Sequence, residues 1–287
     1  MEVKKLTLQD DAYPLPLRDI PSPPKEIFYL GADPSEWLGR PRVAVVGSRS
    51  VTPYGKLATT RLSGELAQHG VVIISGLALG VDGIAHAACL DAGGLTVAVL
   101  ACGLDTVYPA SHAQLAKRIL EQGGTIISEY ETGMPGFKSN FIARNRIVAG
   151  LSDALLITEA TERSGTLHTA RFALEQGRDV LAVPGNIFSP TSGGTNNLIK
   201  TGATPVTSVE DILYVLKADH LPAEPVRRRG SNAEEQAVLD LLYGGVSDGH
   251  TLLVQSELPA IQFNQVLTML EISGKIRPLG ANHWGLK

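Results

Sequence analysis

Three short turns of small residues hold the groups in this chain best suited to gripping an anion. Each follows an apolar run: Val43-Ala-Val-Val-Gly47-Ser48-Arg49, then Val71-Val-Ile-Ile-Ser75-Gly76-Leu-Ala-Leu-Gly80-Val-Asp82-Gly83, then Ala154–Thr158 followed by Ser164-Gly165-Thr166. A strand that ends in glycine and serine and turns into a helix points backbone N–H groups and the positive helix end outward, where a phosphate docks. Arg49 adds a fixed charge, and its planar fork suits bidentate contact with phosphate. Gly47, Ser48 and Arg49, with Ser164, Gly165 and Thr166, are therefore candidate binding residues. For the third turn the competing reading is simple capping, in which Ser or Thr satisfies the first amides of a helix. Its position favours function, because turns after parallel strands gather at one sheet edge.

A second constellation lies in Gly136-Phe-Lys138-Ser-Asn-Phe141-Ile-Ala-Arg144-Asn145-Arg146, which holds three cations and two aromatics, with no carboxylate between Glu131 and Asp153. Lys138 and Phe141, three residues apart at a helix start, suit holding a phosphate and stacking on a base together, the pairing used on single-stranded nucleic acid. Arg144, Asn145 and Arg146 extend the same segment. The competing reading places Phe141 in the core and makes the arginines a solvated helix face, or ion-pair partners of Glu129, Glu131 or Asp153. The polar, Gly-rich loop from Pro184 towards Lys200 is either a cover for a ligand at the sheet edge, with Lys200 as a further cation, or an ordered surface loop.

Catalytic constellations are weak. Asp82 and His86 stand one helical turn apart, but a first-turn Asp is accounted for by the helix dipole, and a His one turn later by a bond to it. Ser48, Ser75 and Ser164 lie in no Gly-x-Ser-x-Gly elbow. No catalytic residue is expected. No metal is expected either, since there is no Cys-x-x-Cys pair and no His-rich tract; nor is a cofactor.

These residues need a scaffold, and composition allows one. The 287 residues are 44% hydrophobic, enough for one large domain and something small beside it. With 25 basic against 29 acidic residues the formal charge is −4, so no global field draws the protein to nucleic acid and any anion site is local. Cys89 and Cys102, in apolar surroundings, read as buried thiols rather than a disulfide framework. No apolar stretch approaches the length that crosses a bilayer, and a soluble, cytoplasmic protein with no membrane partner is expected.

From 43 to 217, short β-branched runs alternate with helical patterns, as in βαβ units around a largely parallel sheet. Strands are expected at Val43–Val46, Val71–Ile74, Thr96–Leu100, Thr125–Ile127, Ala154–Thr158 and Val180–Val183. Helices are expected at Pro53–His69, Val81–Ala92, His112–Gln122, Asn140–Ala149 and Thr166–Gln176, the last burying Leu167, Ala170 and Leu174 on one face. Residues 1–42, rich in proline, read as an N-terminal arm, in which Ile27–Leu30 is either an edge strand or part of an arm lying on the domain. Residues 218–230, with Arg227-Arg228-Arg229, read as an exposed linker. Residues 231–287 differ in kind: one helix around Val238, Leu241 and Leu242, another from Pro259 through Phe263, Leu267 and Leu270, then a hairpin of Lys275–Pro278 with Trp284–Leu286 about Gly280-Ala-Asn282. Helices followed by a hairpin suggest a winged helix.

Taken together these motifs resemble the DNA-processing protein A (DprA/Smf) family. The resemblance rests on the first two turns, on Ala-Cys-Gly-Leu-Asp-Thr-Val-Tyr-Pro at 101–109 and Ser-Glu-Tyr at 128–130. It also rests on Phe-Ile-Ala-Arg-Asn-Arg-Ile-Val-Ala-Gly at 141–150, Glu159-Ala160 with Ser-Gly-Thr-Leu-His-Thr-Ala at 164–170, and Val-Pro-Gly at 183–185. It implies an α/β, extended Rossmann-like domain with a mostly parallel sheet and helices on both faces. It further implies a homodimer that binds single-stranded DNA, protects it and loads the RecA recombinase in natural transformation, without enzymatic activity. Carried over by motif, Arg49 and Lys138 become phosphate ligands and Phe141 a stacking platform. The N-terminal helical domain that many members carry is expected to be missing.

The C-terminal module resembles the winged helix of other members, yet its cations are only Lys275, Arg277 and Lys287, and the helix around Gln262–Ile272 has none. A duplex reader places cations there, so a protein-contact or auxiliary role is expected. The rival reading is a nucleotide N-glycosidase resembling the LOG or lysine-decarboxylase-like family, which shares the sheet and the Gly-rich turns. That family's glutamates after its Gly-Thr turn are missing from Leu167-His168-Thr169, leaving Glu159 or Glu162 as substitutes.

Overall fold

The computed structural model describes residues 2–218, 230 and 232–286, which divide into two compact units, residues 1–225 and 226–287. The expected linker at 218–230, with its three arginines, lies almost entirely outside the described residues.

The large unit runs β1 (Lys4–Thr7), α1 (Leu15–Arg18), β2 (Glu26–Gly31), α2 (Ser35–Leu38), β3 (Arg42–Val46), α3 (Pro53–Gln68), β4 (Val72–Ser75), α4 (Val81–Asp91) and β5 (Thr96–Leu100). It continues with α5 (Ala113–Glu121), β6 (Thr125–Ser128), α6 (Lys138–Leu151), β7 (Ala154–Ile157), α7 (Thr166–Glu175), β8 (Asp179–Ala182), α8 (Gly193–Lys200), β9 (Thr204–Pro205) and α9 (Val209–Val215). These strands form one nine-stranded sheet in the order β1-β2-β6-β5-β4-β3-β7-β8-β9. All its pairings are parallel except those made by β1 and β2.

Alternation along β3 shows how the layers are built. Val43 and Val45 pack with Leu62 and Leu66 of α3 and Val81 and Ala85 of α4. Ala44 and Val46 face the opposite layer, with Ile147 of α6 and Ala170 of α7. Strands covered on both faces must be apolar throughout, and all five residues of β3 are buried.

Three expectations change. The N-terminal stretch is built into the sheet: β2 pairs with β6, β1 forms the edge, and Tyr13, Leu17 and Trp37 are buried in the core. The Lys4-Lys5-Leu6-Thr7 strand escapes a hydrophobicity reading because a charged, exposed edge needs no apolar run. On α7 the inward face is Thr166, Thr169, Ala170 and Ala173, while Leu174 is exposed; small residues there permit close approach to α6, and the true stripe sits one position away from the leucines. His86 bonds to Thr96 at 2.6 Å rather than to Asp82.

The small unit holds α10 (Ala233–Tyr243), α11 (Gly249–Gln255), α12 (Ala260–Ile272), β10 (Ile276–Gly280) and β11 (His283–Leu286). Its core joins Val238, Leu252, Phe263, Leu267, Leu270 and Ile276. Helix α11 was not expected; it is only seven residues long and starts at Asp248, whose carboxylate accepts from the Thr251 amide at 2.8 Å. The hairpin turns through Ala281 and Asn282, both at positive φ, the geometry that lets a two-residue turn match the strand twist.

Candidate nucleic-acid interface

β4, β3 and β7 are neighbours and parallel, so the three turns come together at their carboxyl ends. Direct bonds join them. Thr166 Oγ1 donates to the Gly47 carbonyl at 3.0 Å, and the Val81 amide donates to the Ser48 carbonyl at 3.1 Å. Gly80, at φ +79, lies so close to the first turn that a Cβ there would stand 2.2 Å from the Ser48 carbonyl oxygen. Only glycine fits that approach and that backbone angle.

The same bonds consume donors that seemed available to an anion. The Ser48 amide donates to the Glu159 carbonyl at 2.8 Å. In the second turn the Asp82 carboxylate accepts from the Gly76 amide at 3.1 Å and the Ala78 amide at 3.4 Å. That turn is indeed an anion cradle, and the chain fills it with its own carboxylate. Burial holds the Asp82 carboxyl above its ordinary range, against the opposing pull of Arg144 and the two amides. In the third turn the Thr166 amide donates to Ser164 Oγ at 3.2 Å, a bond within the turn, while Gly165 is the N-cap of α7 and no side chain caps that helix.

Arg144 does not face solvent. It is 4% exposed; its guanidinium donates to the Gly76 carbonyl at 2.6 Å and to the Val99 carbonyl. Its Nε donates to Asn145 Oδ1 at 3.2 Å. Burial therefore removes Arg144 from direct phosphate contact and makes it a brace joining α6, the second turn and β5. Arg146 pairs with Glu129 through two bonds of 2.5 and 2.8 Å, one of the ion pairs weighed from the sequence. Lys200 is not brought to the edge either: α8 starts against Ala160 and runs back for eight residues, about 12 Å at 1.5 Å per residue.

What remains at the surface is compact. Arg49 is exposed, and its guanidinium carbon lies 5.8 Å from the centre of the Phe141 ring, within cation–π reach. Tyr108 meets the same ring edge-on, 5.0 Å between centroids at 60°, and is itself 53% exposed. Lys138 opens α6 one turn before Phe141. The first turn of α6 carries no acidic residue and no side-chain cap; its Asn140 amide donates to the Phe137 carbonyl at 2.9 Å, and the positive helix end is otherwise uncompensated. Arg49 and Phe141 are thus brought together, and Lys138 opens the helix that carries Phe141. Tyr108 joins Arg49 and Phe141 at this surface; it stands in the Ala101–Pro109 run, in a loop with no periodicity to read.

Of the two carboxylates named for the rival reading, Glu162 is exposed and accepts from Asn197 Nδ2 at 3.5 Å. Glu159 is buried, its two oxygens accepting from Thr52 Oγ1 and the Thr52 amide, each at 2.8 Å. His86 is fully buried, and desolvation lowers its pKa to about 3. Both cysteines are free and buried, and burial raises the Cys89 thiol to about 12. Among the described residues no cluster of His, Cys, Asp or Glu could hold a metal ion, and no helix is long and apolar enough to cross a membrane.

Residues 4–217 match a family model described as DNA recombination-mediator protein A, and residues 222–282 match a DprA winged helix domain. Protein Smf of Escherichia coli K12 is 51% identical over 176 residues, covering 61% of this chain and 47% of that protein. The DNA processing protein DprA of Bacillus subtilis is 40% identical over 214 residues, covering 75% of this chain and 71% of its own. This chain spans about half the length of two of these relatives, 47% of the Escherichia coli Smf and 54% of the Synechocystis Smf. Among solved structures, DprA from Streptococcus pneumoniae superposes with a TM-score of 0.70 at 41% identity, covering 74% of each chain. DprA from Helicobacter pylori, described for its unique single-stranded DNA binding mode, gives 0.67 at 35% identity, covering 75% of this chain and 97% of that one.

Proposed function

The chain belongs to the DNA recombination-mediator protein A (DprA/Smf) family, and on that premise we propose that it binds single-stranded DNA through Arg49, Lys138 and Phe141 at the carboxyl edge of the sheet. It acts by holding the strand rather than by catalysis. As a cytoplasmic homodimer it protects incoming DNA and delivers it to the RecA recombinase in natural transformation and recombination.

The observation that carries this reading is the exposed Arg49 guanidinium set 5.8 Å from Phe141. A strand laid there meets a fixed charge for a phosphate, a ring for a base, and Lys138 with the uncapped α6 amides for the next phosphate. Few phosphates are engaged, so the acidic net charge is no obstacle: the site is a local patch on one edge. The C-terminal unit supports an auxiliary or protein-contacting role. α12 buries Phe263, Val266, Leu267 and Leu270, exposes Ile261, Met269 and Ile272, and carries no lysine or arginine.

Gel shifts with single- and double-stranded oligonucleotides test the assignment. Phe141→Ala is expected to weaken single-strand binding by about 5- to 150-fold, the equivalent of one lost base stack, and Lys138→Ala by about 10-fold, one charge-assisted contact. Unchanged affinity in both variants would place the strand elsewhere.

A further inference from the structure

Two strands along the sheet edge from β3, the loop after β8 presents a second surface that the site above does not use. At its tip Ile187 is 81% exposed and Phe188 87% exposed. The loop beneath them is pinned. Tyr54 donates its hydroxyl to the Pro184 carbonyl at 2.7 Å. The Asn196 side-chain amide both accepts from the Gly185 amide and donates to the Gly185 carbonyl, each at 3.1 Å. Asn186 Oδ1 accepts from the Phe188 amide at 2.9 Å. An aromatic ring held out by an ordered loop has been presented, since no packing reason keeps it there.

Phe188 lines an open cleft of about 590 Å³ with Arg163, Glu162, Thr161 and Pro190. Arg163 makes no hydrogen bond or ion pair with the described residues. Glu162 holds the other side, where Asn197 Nδ2 donates to it at 3.5 Å. An unpaired guanidinium beside an exposed ring repeats the chemistry of Arg49 beside Phe141, on the same edge of the same sheet.

We propose that Phe188 and Arg163 form a second contact for the DNA strand, Phe188 stacking on a base and Arg163 meeting a phosphate, so that the strand crosses the sheet edge from β5 to β8. The proposal rests on the single-strand reading above. Four strand spacings separate β8 from β5, whose following loop carries Tyr108 against the Phe141 ring, about 19 Å at 4.8 Å each. A stacked strand covers that span in about six nucleotides at 3.4 Å each. A longer oligonucleotide then reaches both contacts, and a very short one only the first.

Fluorescence anisotropy with labelled oligothymidylates of about 4 and about 15 nucleotides separates the two contacts. Phe188→Ala and Arg163→Gln are expected to weaken the longer oligonucleotide about 5-fold or more and to leave the shorter one within about 2-fold, with Phe188→Tyr restoring the wild-type value. Arg49→Ala, run alongside, weakens both lengths. If Arg49→Ala weakens both while the Phe188 and Arg163 variants bind the longer strand like wild type, the second contact is overturned and the first stands. If Arg49→Ala changes neither length, the single-strand reading itself fails and takes this one with it. A Phe188→Ala variant that changes only the oligomeric state would assign the tip to a protein partner and overturn the proposal.

Discussion

After β3 the chain leaves Arg49 in solvent above Phe141; after β4, one strand away, it folds Asp82 back onto its own Gly76 and Ala78 amides and lays Arg144 behind them. Both turns consist of small residues between a buried strand and a helix, and both create places where an anion is favourable. In the first the Arg49 side chain stays in solvent, and in the second a carboxylate of the chain occupies the favourable place. Amides of both turns are spent inside the fold, Ser48 on the Glu159 carbonyl and Gly76 and Ala78 on Asp82, so what sets the first turn apart is the Arg49 side chain left in solvent rather than the turn itself.

The difference predicts that damage to the second turn is read as lost stability and damage to the first as lost affinity. The largest effect is expected for Arg144→Leu, which leaves the Gly76 and Val99 carbonyls without a donor and Asp82 without its compensating charge. Urea unfolding is expected to show a loss of about 3–5 kcal/mol, the range for breaking a buried charge arrangement by removing one partner. A variant as stable as wild type would show that the brace is dispensable and that the two turns are not different in kind.

A smaller effect comes from His86, one helical turn after Asp82. Thr96 Oγ1 donates to the Ile73 carbonyl, so the His86 Nδ1–H donates to Thr96 Oγ1, while Nε2 is buried without a partner. The folded ring takes a proton only at about 3, whereas the unfolded one takes it near its ordinary value of about 6.5. Unfolding thus takes up a proton between those values, and stability present above about 6.5 is lost as the pH falls through that window. Between pH 6.5 and 5 the loss is expected to reach about 2 kcal/mol, and His86→Gln should remove it. Identical pH dependence in variant and wild type would show that His86 is already charged in the fold.

The sheet was legible in the sequence because its central strands are apolar on both faces and its helices alternate with them. Arg49 and Phe141 were legible as a pair of chemistries, and topology brings them together because β3 and the start of α6 meet at one edge. Arg144 was not legible. In Arg144-Asn145-Arg146 nothing local distinguishes a charge turned inward onto Gly76 and Val99 from one turned outward. Arg146 was legible only as one of several ion-pair alternatives, and its partner Glu129 is settled by β6 lying beside β5. Lys200 failed for a geometrical reason, since a helix that starts at the carboxyl edge carries its last residue away from it. The exposed Ile187-Phe188 tip was hidden by the polar residues around it, whose side chains hold the loop in shape.

Salt dependence of single-strand binding tests the central claim most directly. For single strands the slope of log K against log salt is about −0.7 per phosphate neutralised, and each cation at the edge should contribute about one such contact. Arg49→Ala is expected to bind about 10-fold more weakly at low salt, the value of one charge-assisted hydrogen bond, and to flatten the slope by about 0.7, with its unfolding midpoint unchanged. A variant with the wild-type affinity and slope would contradict the account, because the guanidinium above Phe141 would then meet no phosphate.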